Sequence, residues 1–167
     1  RHSATYLQQH PEARGEDLDA TRKACERFAL LPTSVMNFVE GTRFTPAKHA
    51  ASKSPYRHLL RPRPGGVAFV LSAMGGMLHS VLDVTIAYRE SGPTLWDLCC
   101  GRLDTVRMHV LPRPIESWVS TGDYAEDSQL RARFKEWLGV LWTEKDARLD
   151  AMLAGHDPDS PNRGAPR

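Results

Sequence analysis

The stretch Ser34-Val35-Met36-Asn37-Phe38-Val39-Glu40-Gly41-Thr42-Arg43-Phe44 passes from a short, mostly apolar and β-tolerant run into a polar turn. The run predicts a strand over Ser34–Val39, and Gly41 predicts the turn that ends it. Four successive positions, Glu40, Gly41, Thr42 and Arg43, then bring together a carboxylate, a glycine, a hydroxyl and a guanidinium. That set suits a phosphorylated ligand. An arginine offers a planar donor fork matching phosphate oxygens, Thr42 and nearby backbone N–H groups add donors, and a glycine lets the main chain approach closely. Glu40 is expected to hold Arg43 in place or to bind a substrate hydroxyl. On residue types alone, an ordinary surface turn remains an open reading.

Working outward, Leu18, Thr21, Cys25, Phe28 and Ala29 recur at helical spacing and predict an amphipathic helix over Asp17–Leu30, stopped by Pro32. Downstream, Thr45–Pro64 is polar and basic and is broken by prolines, which predicts a long loop with one helical turn. Gly66–Leu78 predicts a buried helix, Val81–Tyr88 a strand, Thr94–Cys100 a short helix and Thr105–Leu111 another strand. From Asp127, the positions Leu130, Phe134, Trp137, Leu138, Leu141, Trp142, Leu149, Met152 and Leu153 keep helical spacing and predict a long closing helix. His156–Arg167 is rich in Pro, Gly and Asp and predicts a disordered tail. Helices alternating with short strands make the expected fold class α/β, and in such sheets ligands gather where loops leave the carboxyl ends of strands.

The 167 residues, 41% of them apolar, are enough for one domain with a core of ordinary size. A formal net charge of +2, with both signs interspersed, argues against a nucleic-acid partner. The longest weakly polar stretch, Gly65–Leu82, is interrupted by Ser72, Gly75, Gly76, His79 and Ser80 and makes a poor membrane-spanning helix. Cys25, Cys99 and Cys100 form no C-x-x-C pair, so neither a disulfide framework nor a zinc site is expected. They read as buried, chemically idle thiols. Arg1 opens the sequence without a signal-peptide pattern, which predicts a piece of a longer chain.

The run Phe38–Phe44 resembles the glycerol-phosphate-binding block of the lysophospholipid acyltransferases, in which an apolar strand is followed by Glu-Gly-Thr-Arg. Extended through Thr45 and Lys48-His49, it resembles the branch of lysophosphatidic acid and lysocardiolipin acyltransferases. Three further segments are similar to that branch in the same order: His58-Leu59-Leu60 with the Arg-Pro-rich residues after it, Asp83–Tyr88, and Trp137-Leu138 with Glu144-Lys145-Asp146. Thr85, where other branches carry proline, favours the same branch.

The resemblance implies transfer of an acyl group from coenzyme A or acyl carrier protein to the free hydroxyl of a lysophospholipid, such as 1-acylglycerol-3-phosphate, in phospholipid synthesis or remodelling. Glu40, Gly41, Thr42 and Arg43 would bind the acceptor phosphate, with no metal and no bound cofactor. The implied partners are the lysophospholipid, the thioester donor and a membrane surface on the cytoplasmic face, with membrane segments expected upstream. Residues 1–154 would be the C-terminal part of a glycerolipid acyltransferase-type domain, and 155–167 a disordered tail.

The family's chemistry uses a His-x4-Asp motif, in which the histidine takes the hydroxyl proton while the aspartate orients its ring. None of His2, His10, His49, His58, His79, His109 and His156 has an aspartate five positions later. No catalytic residue is therefore expected within this chain, which should be inactive by itself. His79 and Asp83 are four apart, but on a strand that separation is about 13 Å, too far for a hydrogen bond, so a structural role is expected for both. His49 and His58 lie in the basic loop, and Arg57, Arg61 and Arg63 there suit either ordinary solvation or an anionic bilayer surface. A phospholipid-binding protein without catalysis, and an α/β domain whose Glu-Gly-Thr-Arg turn is merely structural, are the competing readings.

Overall fold

The computed structural model describes residues 34–88, 93–103, 105–120, 124 and 127–155. The helix expected over 17–30, Cys25, and the tail beyond Gly155 lie outside these residues. In chain order the described elements are α1 (Pro46–Ser52), α2 (Pro64–Met74) running into a 3-10 turn (Gly75–Met77), β1 (Ser80–Tyr88), α3 (Leu95–Cys99), β2 (Val106–Pro114), α4 (Ser117–Ser120) and α5 (Ser128–Leu153). The class is mixed α/β, with β1 and β2 paired antiparallel and a long C-terminal helix closing the chain.

Helix α5 organises the rest. Its start is set by Asp127, whose carboxylate accepts from the N–H groups of Gln129 at 2.8 Å and Leu130 at 3.0 Å, satisfying donors the first turn leaves open. Leu130 and Phe134 pack with Ala68 and Leu71 of α2 and Val119 of α4. Phe134, Trp118, Tyr124 and Trp137 meet edge to face, with ring centroids 5.5–6.3 Å apart. One to two turns further on, Leu138, Leu141 and Trp142 pack with Leu59, which belongs to the segment between α1 and α2. Trp137 borders both clusters. From Leu130 to Met152 the expected stripe is the one turned inward, because it serves two successive partners, whereas its last position, Leu153, is exposed.

The sheet inverts the usual sense of its alternation. Leu82, Val84, Ile86 and Tyr88 stand opposite Pro112, Val110, Met108 and Val106 in the register, and all eight are exposed. On the other face Asp83 reaches Lys145 and Arg148 of α5, while Thr85 and Ala87 are buried. Arg107 of β2 donates to Met152 O at 2.8 Å, tying the second strand to the end of the same helix.

Two expectations are corrected. Residues 34–38 form no secondary structure and Val39 already belongs to the turn, so no strand forms there among the described residues; Val35, Met36 and Phe38 are exposed. β-tolerant residues allow extended backbone, but a strand also needs a neighbour to take its N–H and C=O groups. Cys99 and Cys100 are exposed rather than buried. They end α3, a five-residue helix that buries none of its residues and also leaves Leu95, Trp96 and Leu98 in solvent. A Thr94–Asp97 capping box satisfies its first turn locally, so α3 forms without a core beneath it.

Candidate functional site

The Glu-Gly-Thr-Arg turn is held from α5 through the segment that joins α1 to α2. The Asp146 carboxylate accepts from the backbone N–H groups of Arg57 and His58, both at 2.8 Å. Trp142 Nε1 donates to Leu60 O at 3.0 Å in a buried bond. The N–H of Leu60 donates in turn to Glu40 Oε1 at 3.2 Å. Arg63 N–H donates to Val39 O at 2.8 Å, so the Arg-Pro-rich segment lies directly against the start of the turn. Gly41 N–H donates to Phe38 O at 2.8 Å and closes it.

Gly41 has φ +69°, a left-handed conformation that side chains disfavour. The neighbour that comes close there is Arg63: a Cβ on residue 41 would sit 3.3 Å from Arg63 Cδ and 3.6 Å from its Nη1. Thr42 Oγ1 accepts from Lys48 Nζ at 2.7 Å, and the same ammonium lies 3.3 Å from Arg43 O. Helix α1 places that lysine. Thr45 caps it by accepting from Lys48 N–H at 3.2 Å, and Pro46 occupies its first turn.

Beside the turn lies a cleft of about 520 Å³ lined by Glu40, Thr42, Lys48, Ala51, Ser52, Leu60, Arg61, Pro62 and Arg63. Of the four residues expected in the site, Glu40 and Thr42 line this cleft and Gly41 forms the turn beside it. Arg43 is exposed, is not among the lining residues, and has no hydrogen-bond or ion-pair partner for its guanidinium among the described residues. Glu40 accepts from the Leu60 N–H instead of holding Arg43. Burial pushes the Glu40 carboxyl above its ordinary range, and the Leu60 hydrogen bond and the positive charge of Lys145 offset this in part.

The basic loop divides into two sets. Arg57 Nη1 and His58 Nε2 both reach Asp150 Oδ1, at 2.9 Å and 2.8 Å, so these two serve to dock the loop onto α5. The hydrogen bond from His58, with Arg57 nearby, holds the Asp150 carboxyl below its ordinary range. Lys48, Arg61 and Arg63 instead face the cleft. His49 Nε2 bonds Tyr56 O at 2.6 Å. Their shared membership in one cleft is what sequence reasoning missed; the Arg-Pro-Arg-Pro run at 61–64 was the available signal.

His79 and Asp83 do not form a pair: His79 Nδ1 bonds Met77 O at 3.2 Å, and Asp83 is the hub of a separate cluster. The Asp83 carboxylate meets Lys145 Nζ, Arg148 Nη1 at 3.1 Å and Arg113 Nη2 at 3.6 Å, and Arg113 also pairs with Glu144. Arg148 Nη1 also donates to Thr85 Oγ1 at 3.2 Å, so the buried threonine hydroxyl joins this cluster. Burial pushes the Asp83 carboxyl up, but Lys145 and Arg148 outweigh it and the net shift is downward. Among the described residues no group of three or more His, Cys, Asp or Glu is placed to hold a metal ion. No helix among them is long and apolar enough to cross a membrane.

No family model matches the chain, and no solved structure does. Similarity to characterised proteins is nonetheless extensive. The chain is 32% identical over 143 residues, 79% of its length, to 1-acyl-sn-glycerol-3-phosphate acyltransferase gamma of Mus musculus. It is 30% identical over 132 residues, 73% of its length, to 1-acyl-sn-glycerol-3-phosphate acyltransferase delta of Homo sapiens. A third relative, 2-acyl-1-lysophosphatidylinositol acyltransferase of Saccharomyces cerevisiae, is 27% identical over 132 residues, 71% of the chain. The chain spans about a third of the length of these curated relatives, 36% and 32% for the first two. With the Glu-Gly-Thr-Arg turn set beside a basic cleft, and with these relatives agreeing across most of the chain, the protein belongs to the lysophospholipid acyltransferase family.

Proposed function

We propose that this chain supplies the acceptor-binding part of an enzyme that acylates a lysophospholipid such as 1-acylglycerol-3-phosphate at a membrane surface, with coenzyme A or acyl carrier protein as the acyl carrier. Glu40, Gly41, Thr42 and Arg43 form the block that receives the acceptor phosphate. One observation carries this reading: the turn stands beside a cleft with three cationic residues, Lys48, Arg61 and Arg63, against one carboxylate, Glu40. A phosphate monoester is the ligand whose charge and donor requirements match such a set, and the partnerless fork of Arg43 adds a further donor pair on the same turn.

In the reaction, the acceptor hydroxyl oxygen attacks the thioester carbonyl carbon. A C–O bond forms, the C–S bond breaks, and the thiol leaves with the proton that the hydroxyl lost. The cationic turn contributes by fixing the phosphate end so that the hydroxyl is presented in one place. Removal of the proton needs a base, which the family's His-x4-Asp motif provides and which this sequence lacks. The same lack also fits a phospholipid-binding protein without catalysis.

The test is kinetic. In a polypeptide joining this chain to a His-x4-Asp segment, Arg43→Ala should raise KM for lysophosphatidic acid about 10- to 100-fold, the worth of a charge-assisted hydrogen-bond pair, with a smaller change in kcat. Unchanged acceptor kinetics would remove Arg43 from the site, and absence of any acyl transfer in the joined polypeptide would favour the non-catalytic reading.

A further inference from the structure

Three cationic side chains line the cleft, and they differ in what they already hold. Lys48 Nζ is engaged with Thr42 Oγ1 and lies near Arg43 O. The Arg61 guanidinium is engaged with main-chain carbonyls, Nε with Ser52 O and Lys53 O at 3.1 Å each and Nη2 with Lys53 O at 2.8 Å. The Arg63 guanidinium alone of the three has no hydrogen-bond or ion-pair partner among the described residues.

Its backbone, by contrast, is tightly placed. Pro62 and Pro64 flank it, restricting the conformations open to this stretch, and Pro64 opens α2. The Arg63 N–H is fixed to Val39 O at 2.8 Å, one residue before Glu40. Its stem passes over Gly41, where a Cβ would sit 3.3 Å from Arg63 Cδ. The carboxylate nearest in the cleft, Glu40, is committed to the Leu60 N–H and does not pair with Arg63. A donor fork held on a rigid main chain, cleared by a glycine and left unpaired beside the acceptor-binding turn is arranged for a ligand anion, since ordering costs are met before binding.

We propose that Arg63 is a second phosphate-binding arginine of the acceptor site, acting beside Arg43. The assignment rests on the function proposed above.

The experiment measures binding of the 167-residue chain to lysophosphatidic acid and to a monoacylglycerol with the same acyl chain, so that the ratio of the two affinities isolates the phosphate. Arg63→Met keeps the stem over Gly41 and removes the fork; Arg63→Lys keeps a charge without the fork. Arg63→Met should lower affinity for lysophosphatidic acid about 10- to 100-fold while leaving monoacylglycerol affinity unchanged. Arg63→Lys should fall between. Melting temperatures of the variants identify any that lose the fold, and the lysine variant decides the matter if the methionine variant does. A wild-type affinity ratio in both Arg63 variants, with Arg43→Ala losing it, overturns the role of Arg63 and leaves the proposed function standing. A wild-type chain with no preference for the phosphate overturns both.

Discussion

Two groups of charges are tied to α5, and they differ in what they leave unpaired. Around Asp83 every charge has a partner: Lys145, Arg148 and Arg113 converge on it, and Glu144 takes Arg113 as well. The side chains of Asp83, Lys145 and Arg148 are only 10%, 14% and 10% exposed, so they are bound to each other in surroundings that weaken solvent screening. Around Glu40 the pattern reverses. The carboxylate is committed to a main-chain N–H, while Arg43 and Arg63 keep their forks open. A closed cluster holds the strands on the helix, whereas an open one is available to a ligand. Counting charges in the sequence would not separate the two.

That contrast is sharpest if the closed cluster is opened. Asp83→Asn leaves the largely buried side chains of Lys145 and Arg148 without their carboxylate, and it should destabilise the chain by about 3 kcal/mol, measured by denaturant unfolding. Folded Asp83→Asn protein should keep the wild-type preference for a phosphorylated acceptor. Loss of that preference at unchanged stability would show that the two regions are one.

A smaller effect comes from pH, and the two carboxylates should act in opposite directions. The Asp83 pKa is lowered by its cations, so its contribution is fully present above the unfolded value of about 3.9 and is lost as pH falls through the depressed folded value. The Glu40 pKa is raised by burial above 4.5, so the folded state holds that proton longer, and stability declines as pH rises from there through the raised value. In an unfolding series across pH, Asp83→Asn should reduce the acid-side loss, leaving the part due to other lowered carboxylates such as Asp150. Glu40→Gln, whose amide oxygen can still accept from Leu60, should remove the decline on the other side. Identical pH profiles for wild type and both variants would contradict the assignments of these carboxylates.

Much of the fold is legible in the residues because it depends on periodicity. The stripe from Leu130 to Trp142 is buried as its spacing requires, and β1 and α3 fall within a residue or two of their expected limits. Strand β2 runs on to Pro114, beyond the expected Leu111, because pairing with β1 extends to Ser80. What periodicity leaves open is which side of an element meets the core. The alternation in β1 is plain, yet Leu82, Val84 and Ile86 face outward and Asp83 and Thr85 face the helix, because α5 offers cations there. Cys99 and Cys100 differ from expectation for a related reason: apolar neighbours imply burial only when something covers them.

The candidate site was partly legible for a different reason. Glu40 through Arg43 are adjacent in sequence, so a short motif names them, and the structure places Glu40 and Thr42 in the cleft. Arg63 is 20 positions beyond Arg43 and arrives through the Val39 hydrogen bond, a long-range contact that no spacing rule encodes. Likewise the division of the loop's cations depends on Asp150, more than 90 residues away from Arg57, which withdraws Arg57 and His58 from the site.

The central claim is that the open charges beside the Glu-Gly-Thr-Arg turn receive a phosphate monoester. The most direct measurement is the affinity of the wild-type chain for lysophosphatidic acid relative to a monoacylglycerol of the same acyl chain, at low salt and again at raised ionic strength. The account predicts a preference of roughly 10-fold or more for the phosphorylated lipid, the worth of a charge-assisted hydrogen bond, weakened by salt. Equal affinities for the two lipids at low salt would contradict it.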